Sequence, residues 1–397
     1  MNFKYELISV LDEKINSMMN YVKNEGDISY TLDPVFNIKR NRVNAELVKT
    51  LVRTQKEPKI TKNLINFMLK GQNHDGSWNE VHPKYSQPSS LITSIVGESL
   101  LMAHETMPEL EQTIHIAKDY VLSQEFGGKF IKSRGYTADH LNVDATCGSF
   151  LARYGKTFSD EECTEAALRT GIHICNNQFK DGSFPYTTNK GNYSQNLNIP
   201  CIHYQGVTLY YLSKIHEFTG GKKLKDSILH GSKWLSGVQK DDGKFEWSKS
   251  GLMFAYYLSG AYGFGLASFI YASKWDKSYL DNAYKMLEII NENSNGLMLR
   301  WERDDWRSLP SSTITTVKTA NIGDYPLKHM LFRGGYGFYR QIARRRYSDE
   351  IDERLFKIIL KISKMKVSTI EPFNNYPDIF MTSEVLDCLS YSLNQLR

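Results

Sequence analysis

Two kinds of apolar pattern alternate along this chain. In the stretch 222–238, Leu224, Ile228, Gly231, Leu235 and Val238 fall on one helical stripe while Lys222, Lys223, Lys225 and Lys233 lie off it, which predicts a helix with one wet face. The stretches that follow such helices are apolar nearly all round, as in "CIHYQGVTLYYLSKIHEF" from Cys201 and "GLMFAYYLSGAYGFGLASFIYAS" from Gly251 to Ser273. The second of these is long and uncharged enough to cross a bilayer. It stands alone, however, and is crowded with Tyr, Ser and Gly, so it predicts a buried helix and no membrane span.

A short glycine turn separates the two kinds of helix. "GQNHDGSWNE" from Gly71 is echoed by "NNQFKDGSFPY" around Gly182, by "GVQKDDGKFEW" around Gly243, in outline by "LSQEFGGKFIK" around Gly128, and in worn form by "NENSNGLMLRW" around Gly296. The glycines recur at roughly 50 to 60 residues, room for two helices and two loops. Half-buried outer helices alternating with fully buried inner ones do not suit an open solenoid, whose helices all keep exposed flanks. Closure into a ring suits them, giving an all-α single (α/α)6-7 toroid over residues 1–397 with the inner helices parallel and their ends facing a central cavity. Asp-Gly supplies the positive-φ turn, the Gln amide serves the last carbonyls of the outer helix, and Trp78, Phe184 and Phe245 pack as staples.

The Gln-x-x-Asp-Gly-Ser-Trp form of Gln72 to Trp78, with its echoes at Gln178 to Phe184 and Gln239 to Phe245, resembles the repeat of the squalene-cyclase and protein-prenyltransferase superfamily. The resemblance covers roughly residues 60 to 300 and implies an α/α toroid. That toroid is shared with polysaccharide lyases, glycoside hydrolases, uronate epimerases and lanthionine cyclases, so the fold leaves the chemistry open.

Composition narrows the surroundings. A net charge of +5 over 397 residues, with basic residues interleaved among acids, argues against a nucleic-acid partner. Cys147, Cys163, Cys175, Cys201 and Cys388 form no CxxC pair, which suits a reducing compartment. The N-terminal stretch has acids inside its apolar pattern and does not read as a signal peptide. A cytoplasmic location is expected.

Chemistry is expected after the turns, where the chain crosses the mouth of the ring. Tyr136, His140 and Asp144 come from one crossing, Asn198, His203, Tyr204 and Gln205 from the next, Arg300, Glu302 and Arg303 from a third, and Lys328, His329 and Arg333 from the last. Tyr256 joins them from the long apolar run. His203, Tyr204, Tyr136 and Asp144 are the catalytic candidates; the others are candidates for binding substrate.

Three chemistries compete for these residues. Aromatic faces, amides and Arg or Lys groups suit a small-molecule or oligosaccharide substrate, above all a uronate, whose deprotonation next to a carboxylate builds charge that must be offset. This favours a carbohydrate-active enzyme of a bacterial or archaeal polysaccharide pathway, of epimerase or lyase type, with no cofactor; a hydrolase would pair Asp144 with Glu302. "NVDAT", Asn142 to Thr146, resembles the acid motif of class II terpene cyclases with Asp144 as the acid, though Asn142 and Ala145 stand where that motif has its flanking acids. This gives an isoprenoid enzyme as the alternative. Zinc is a lesser alternative: Asp144, Cys147, Cys201 and His203 are ligand types, but their spacings depart from those of prenyltransferases and lanthionine cyclases. A non-catalytic glycan- or partner-binding toroid is the remaining reading.

Overall fold

The computed structural model describes residues 3–83, 85–134, 136, 138–188, 200–250, 258–292, 296–302 and 376–396. Its helices, in chain order, are α1 (Phe3–Met19), α2 (Asn41–Thr54), α3 (Pro58–Lys70), α4 (Ser90–Ala103), α5 (Glu111–Ser123), α6 (Leu141–Phe158), α7 (Glu161–Asn176), α8 (Ile202–Thr219), α9 (Lys222–Gly237), α10 (Gly260–Ala272), α11 (Tyr279–Glu292) and α12 (Ile379–Gln395). Three antiparallel hairpins decorate the connections: β1 (Val22–Glu25) with β2 (Ile28–Thr31), β3 (Asn79–His82) with β4 (Tyr85–Pro88), and β5 (Glu125–Phe126) with β6 (Lys129–Phe130).

The ring is real and it closes. Among the described residues α2, α4, α6, α8, α10 and α12 form the inner circle, each packed on the next, and α12 completes it by packing on both α10 and α2. The outer partners are α3, α5, α7, α9 and α11, with α1 backing α12, so the first helix of the chain covers the last. This is an (α/α)6 arrangement among the described residues.

The two patterns sort as the sequence indicates. In α9 the buried residues include Leu224, Ile228, Gly231 and Leu235, whereas every residue of α10 is buried. The apolar run from Gly251 thus contributes an inner helix from Gly260 onward; residues 251–257 lie outside the described residues. Among the described residues no helix is long and apolar enough to cross a membrane.

The five glycine turns are the joints of the ring. Gly76, Gly128, Gly182, Gly243 and Gly296 have φ between +84° and +99°, which disfavours any residue with a Cβ. Each also lies against the next outer helix: a Cβ would stand 2.5 Å from the carbonyl oxygen of Ile116 on α5, 2.9 Å from that of Arg169 on α7 and 3.0 Å from that of Lys285 on α11, would overlap that of His230 on α9, and at Gly296 would overlap Ser17 on α1. The fifth turn therefore closes the outer circle onto the N-terminal helix.

The repeat glutamines act differently from the expected cap. Gln72 Nε2 donates to Gly76 O (3.1 Å) and to Thr113 O of α5 (3.3 Å), and Gln178 and Gln239 repeat the pair with Ser227 of α9 and Asn282 of α11. They tie each turn to the following outer helix, while the carbonyl of the preceding helix is served by Trp78, whose Nε1 donates to Met68 O (2.8 Å). Trp78, Phe184 and Phe245 are buried staples, as expected.

Candidate functional site

The residue two places after each turn glycine donates its backbone N–H to a side chain near the start of the following inner helix. Trp78 N donates to Thr93 Oγ1, Phe130 N to Asp144 Oδ1, Phe184 N to Gln205 Oε1, Phe245 N to the Tyr262 hydroxyl and Met298 N to Thr382 Oγ1, at 2.7 to 3.3 Å. These acceptors stand at equivalent places on α4, α6, α8, α10 and α12. A buried N–H needs such a partner, so part of the polar content after each turn belongs to the ring's own joints.

Two candidates thereby leave the mouth. Asp144 faces the outer layer, with its Oδ2 3.8 Å from Nε2 of His173 on α7. Gln205 spends its amide on Phe184 N, Gly182 O and Gly231 O. Glu302 is likewise engaged, accepting from Trp247 Nε1 and the Tyr262 hydroxyl, both at 2.6 Å. Asp144 and Glu302 do not face each other across a cleft. Asn198, Tyr256, Arg303, Lys328, His329 and Arg333 lie outside the described residues.

The mouth itself holds a cavity of about 140 Å³ lined by the first turns of three inner helices, through Asn41 and Arg42 of α2, Ile92 of α4 and Phe380 of α12, and by Arg40, Arg300, Tyr376 and Asp378. Arg42 Nε donates to Glu46 (2.7 Å), its Nη2 to Glu384 Oε1 (2.6 Å), and its guanidinium lies 4.7 Å from the Phe380 ring centre. Arg300 pairs with Asp378 (3.0 Å), which also caps α12 through Phe380 N. Arg40 is spent on Asp33 and Val81 O.

His203, the second residue of α8, lies near two arginines of this cavity, Arg42 and Arg300. It is 3% exposed, and among the described residues its Nδ1 has no hydrogen-bond partner. Glu384 Oε2, on α12, also lacks one among them. Both converge on Gly260 at the start of α10: a Cβ there would overlap Glu384 Oε2 and stand 3.4 Å from His203 Cε1. Burial, with Arg42 and Arg300 nearby, lowers the His203 pKa to about 3, so the imidazole is neutral. Burial, reinforced by the Glu46 carboxylate and opposed by Arg42 and Arg300, holds Glu384 well above the usual carboxylate range. Burial thus works against the charged form of both groups.

An aromatic file leads to His203. Tyr136 and His140 rings are 6.4 Å apart, His140 and Tyr186 5.0 Å, Tyr186 and Tyr204 4.5 Å, and Tyr204 and His203 5.0 Å. The structure therefore groups His203, Tyr204, Tyr136, His140 and Arg300 of the expected set around one end of the ring. It adds Arg42, Glu46, Glu384, Asp378 and Tyr186, which the sequence reading missed. The available signal was two acids, Glu384 and Asp387, three apart in the otherwise apolar "IFMTSEVLDCL".

Deeper in, the ring axis is filled. Lys49 Nζ meets Asp387 (2.5 Å) and Glu98 (3.4 Å), Arg53 meets Asp387 (2.5 Å), and Lys214 pairs with Glu98. Among the described residues these ion pairs occupy the axis where the sequence predicts a central cavity, and the cavity described above lies at the mouth. Among the described residues the zinc set of Asp144, Cys147, Cys201 and His203 is not brought together; Asp144 gathers instead with Asp139 and His173.

No model of a known protein family matches the sequence, and no curated protein does. Solved structures do share the fold. An unsaturated glucuronyl hydrolase specific for heparin matches 99% of this chain and 97% of its own at 10% identity and a TM-score of 0.60. The cellobiose 2-epimerase of Bacillus thermoamylovorans matches 75% of this chain and 90% of its own at 11% identity and 0.60. An unsaturated glucuronyl hydrolase of a Bacillus species matches 72% and 84% at 10% identity and 0.53. At these identities the likeness establishes the α/α toroid and nothing about the reaction.

Proposed function

We propose that this chain is a saccharide-processing enzyme that moves a proton at a sugar carbon, with His203 as base and Glu384 as acid. The observation that carries this reading is the approach of His203, through Cε1, and of Glu384 Oε2 to Gly260, with His203 Nδ1 and Glu384 Oε2 both buried and without a hydrogen-bond partner among the described residues, and with Arg42 and Arg300 of the cavity nearby. Unsatisfied polar atoms are costly to bury, and a substrate oxygen or acidic C–H is the natural partner for both.

A uronate suits the surroundings best. Its carboxylate would lie against Arg42 and Arg300, whose charge offsets the negative charge built when the adjacent carbon is deprotonated. His203 takes that proton; Glu384 returns one to the opposite face in an epimerase, or gives its own to the departing glycosidic oxygen in a lyase. Tyr204 and Tyr186 offer ring faces for pyranose stacking. The fold neighbours whose names include a glucuronyl hydrolase and a cellobiose epimerase support a saccharide substrate.

A second reading, hydrolysis, is supported by the whole-chain overlap with a glucuronyl hydrolase and by two carboxyls in the cavity lining, Glu80 and Asp378. An isoprenoid cyclase finds less support, because the Asp144 carboxyl turns toward α7. Incubating uronate-containing oligosaccharides with the protein in deuterated water and following the sugar carbons by NMR separates the readings. Deuterium at the carbon beside the carboxylate, or a new double bond there, is expected. It should vanish in His203→Ala and Glu384→Gln while binding persists. Chain cleavage without exchange or unsaturation would replace this reading with hydrolysis. Binding without turnover in the wild type would leave a glycan-binding toroid.

A further inference from the structure

Asp144 is the odd member of its own series. At the equivalent places Thr93, Gln205, Tyr262 and Thr382 give the joint a neutral acceptor, which is all the joint requires. A carboxylate there leaves a second oxygen over. Asp144 is fully buried, and among the described residues no N–H or hydroxyl donor reaches its Oδ2. That oxygen points at His173 Nε2 (3.8 Å), which lies 3.2 Å from Asp139 Oδ2. Ligand atoms of the three side chains all fall within 4.8 Å of one another.

Two carboxyl groups beside one imidazole in a buried pocket are satisfied either by a proton shared between them or by a cation. The spacings suit a cation. Tetrahedral ligands about 2.0–2.2 Å from a zinc ion stand roughly 3.3–3.6 Å apart, and Asp oxygen with His nitrogen is a zinc-type donor set. Calcium would ask for six to eight oxygens, more than this pocket supplies. The His173 side chain is 13% exposed, so the cluster is reachable from solvent.

We propose that Asp139, Asp144 and His173 bind a zinc-type divalent ion that fastens the loops of the mouth. The ligands lie where those loops meet: Thr188 donates its hydroxyl to Asp139 Oδ2 (2.6 Å) and its backbone N–H to Asp139 O (2.9 Å), and His140 bridges Thr187. One loop carries Tyr136 and His140, the other Tyr186. The ion is structural and independent of the proton transfer assigned to His203.

The test uses the full chain, stripped with a chelator and titrated with zinc alone against a competing chromophoric chelator. One equivalent is expected in the wild type, bound at least about a hundredfold more weakly in His173→Gln and in Asp144→Asn. Asp144→Asn keeps an acceptor for Phe130 N–H, and His173→Gln lies on an outer helix, so one of the two should fold. Zinc should also raise the melting temperature of the wild type and not of the variants. Absence of a stoichiometric site, or equal zinc affinity in wild type and variants, overturns the proposal in favour of a single proton shared by the two carboxyls.

Discussion

Replacing Gln205 separates a joint from a substrate ligand. Its amide is buried at 0% exposure and holds Phe184 N–H at 2.7 Å. In Gln205→Leu the volume is nearly kept but that N–H loses its acceptor. Gly182 O, the other partner within the turn, still receives Gln178 Nε2 at 2.9 Å, so a single orphaned donor sets the loss, about 1–3 kcal/mol. Gln205→Ala adds a cavity and should cost more, in the range of about 2–5 kcal/mol seen for large-to-small core changes. Urea unfolding followed by circular dichroism should show both midpoints lowered, Ala below Leu, with the slope unchanged. KM for a turned-over saccharide should stay within about twofold in the Leu variant, since a loss confined to substrate binding is what would raise it. An unshifted midpoint together with a KM raised tenfold would refute the joint and restore Gln205 as a substrate ligand.

Three further outcomes follow from the same geometry. Gly182→Ala, which places a Cβ on the His230 carbonyl, should destabilise at least twice as much as Gly127→Ala, which shares a positive φ but meets nothing within 4 Å; the latter should cost about 1 kcal/mol in urea midpoints, and equal losses would deny the turn its contact with α9. Against the raising effect of burial, Lys214, Lys49 and Arg153 hold Glu98 at about 2. Its stabilising contribution is thus complete above its unfolded value near 4.5 and lost as pH falls through 2; the stability gap between wild type and Glu98→Gln should shrink over that window, and a constant gap would remove the ionic account of the axis. Burial raises Glu384 to about 8, so kcat/KM should fall above about pH 8 as the acid ionises, with no limb near 6.5 from His203, which is held at about 3; a limb near 6.5 that disappears in His203→Ala would reverse the assignment.

The ring was legible because its joints are local. A positive-φ glycine followed two residues later by a buried staple is a pattern that a few neighbouring residues impose, and it repeats. The site was legible only on one side. His203, Tyr204 and Arg300 follow their turns directly, whereas Arg42 and Glu384 meet across 342 positions and share no local motif. Asp144 and Gln205 misled for a physical reason. A buried acceptor of a backbone N–H and a buried ligand of a substrate are the same residue types at the same helix turn, and only the direction of the side chain, toward α7 and the turn or toward the mouth, tells them apart.

The proposed preference for an anionic substrate draws on the backbone as well as on the arginines. Of the inner helices, α2, α4, α6, α8 and α10 carry no side-chain cap hydrogen bond at their starts and α12 is capped by Asp378; outer helices α3, α5 and α9 are uncapped as well, and α7 is capped by Asp160. Some first-turn donors find partners elsewhere, as Ser90 N does in Lys132 O and Ile202 N in the Ser250 hydroxyl. Others remain oriented with the positive ends of their helix dipoles toward the mouth. In a closed ring these ends add at one mouth, so a carboxylate there is favoured although the net charge of the chain is only +5. Glu98 and Asp387 sit one to two turns further in, where Lys49, Arg53 and Lys214 pair with them, so the charges of the interior are balanced within the axis and leave the helix starts at the mouth as they are.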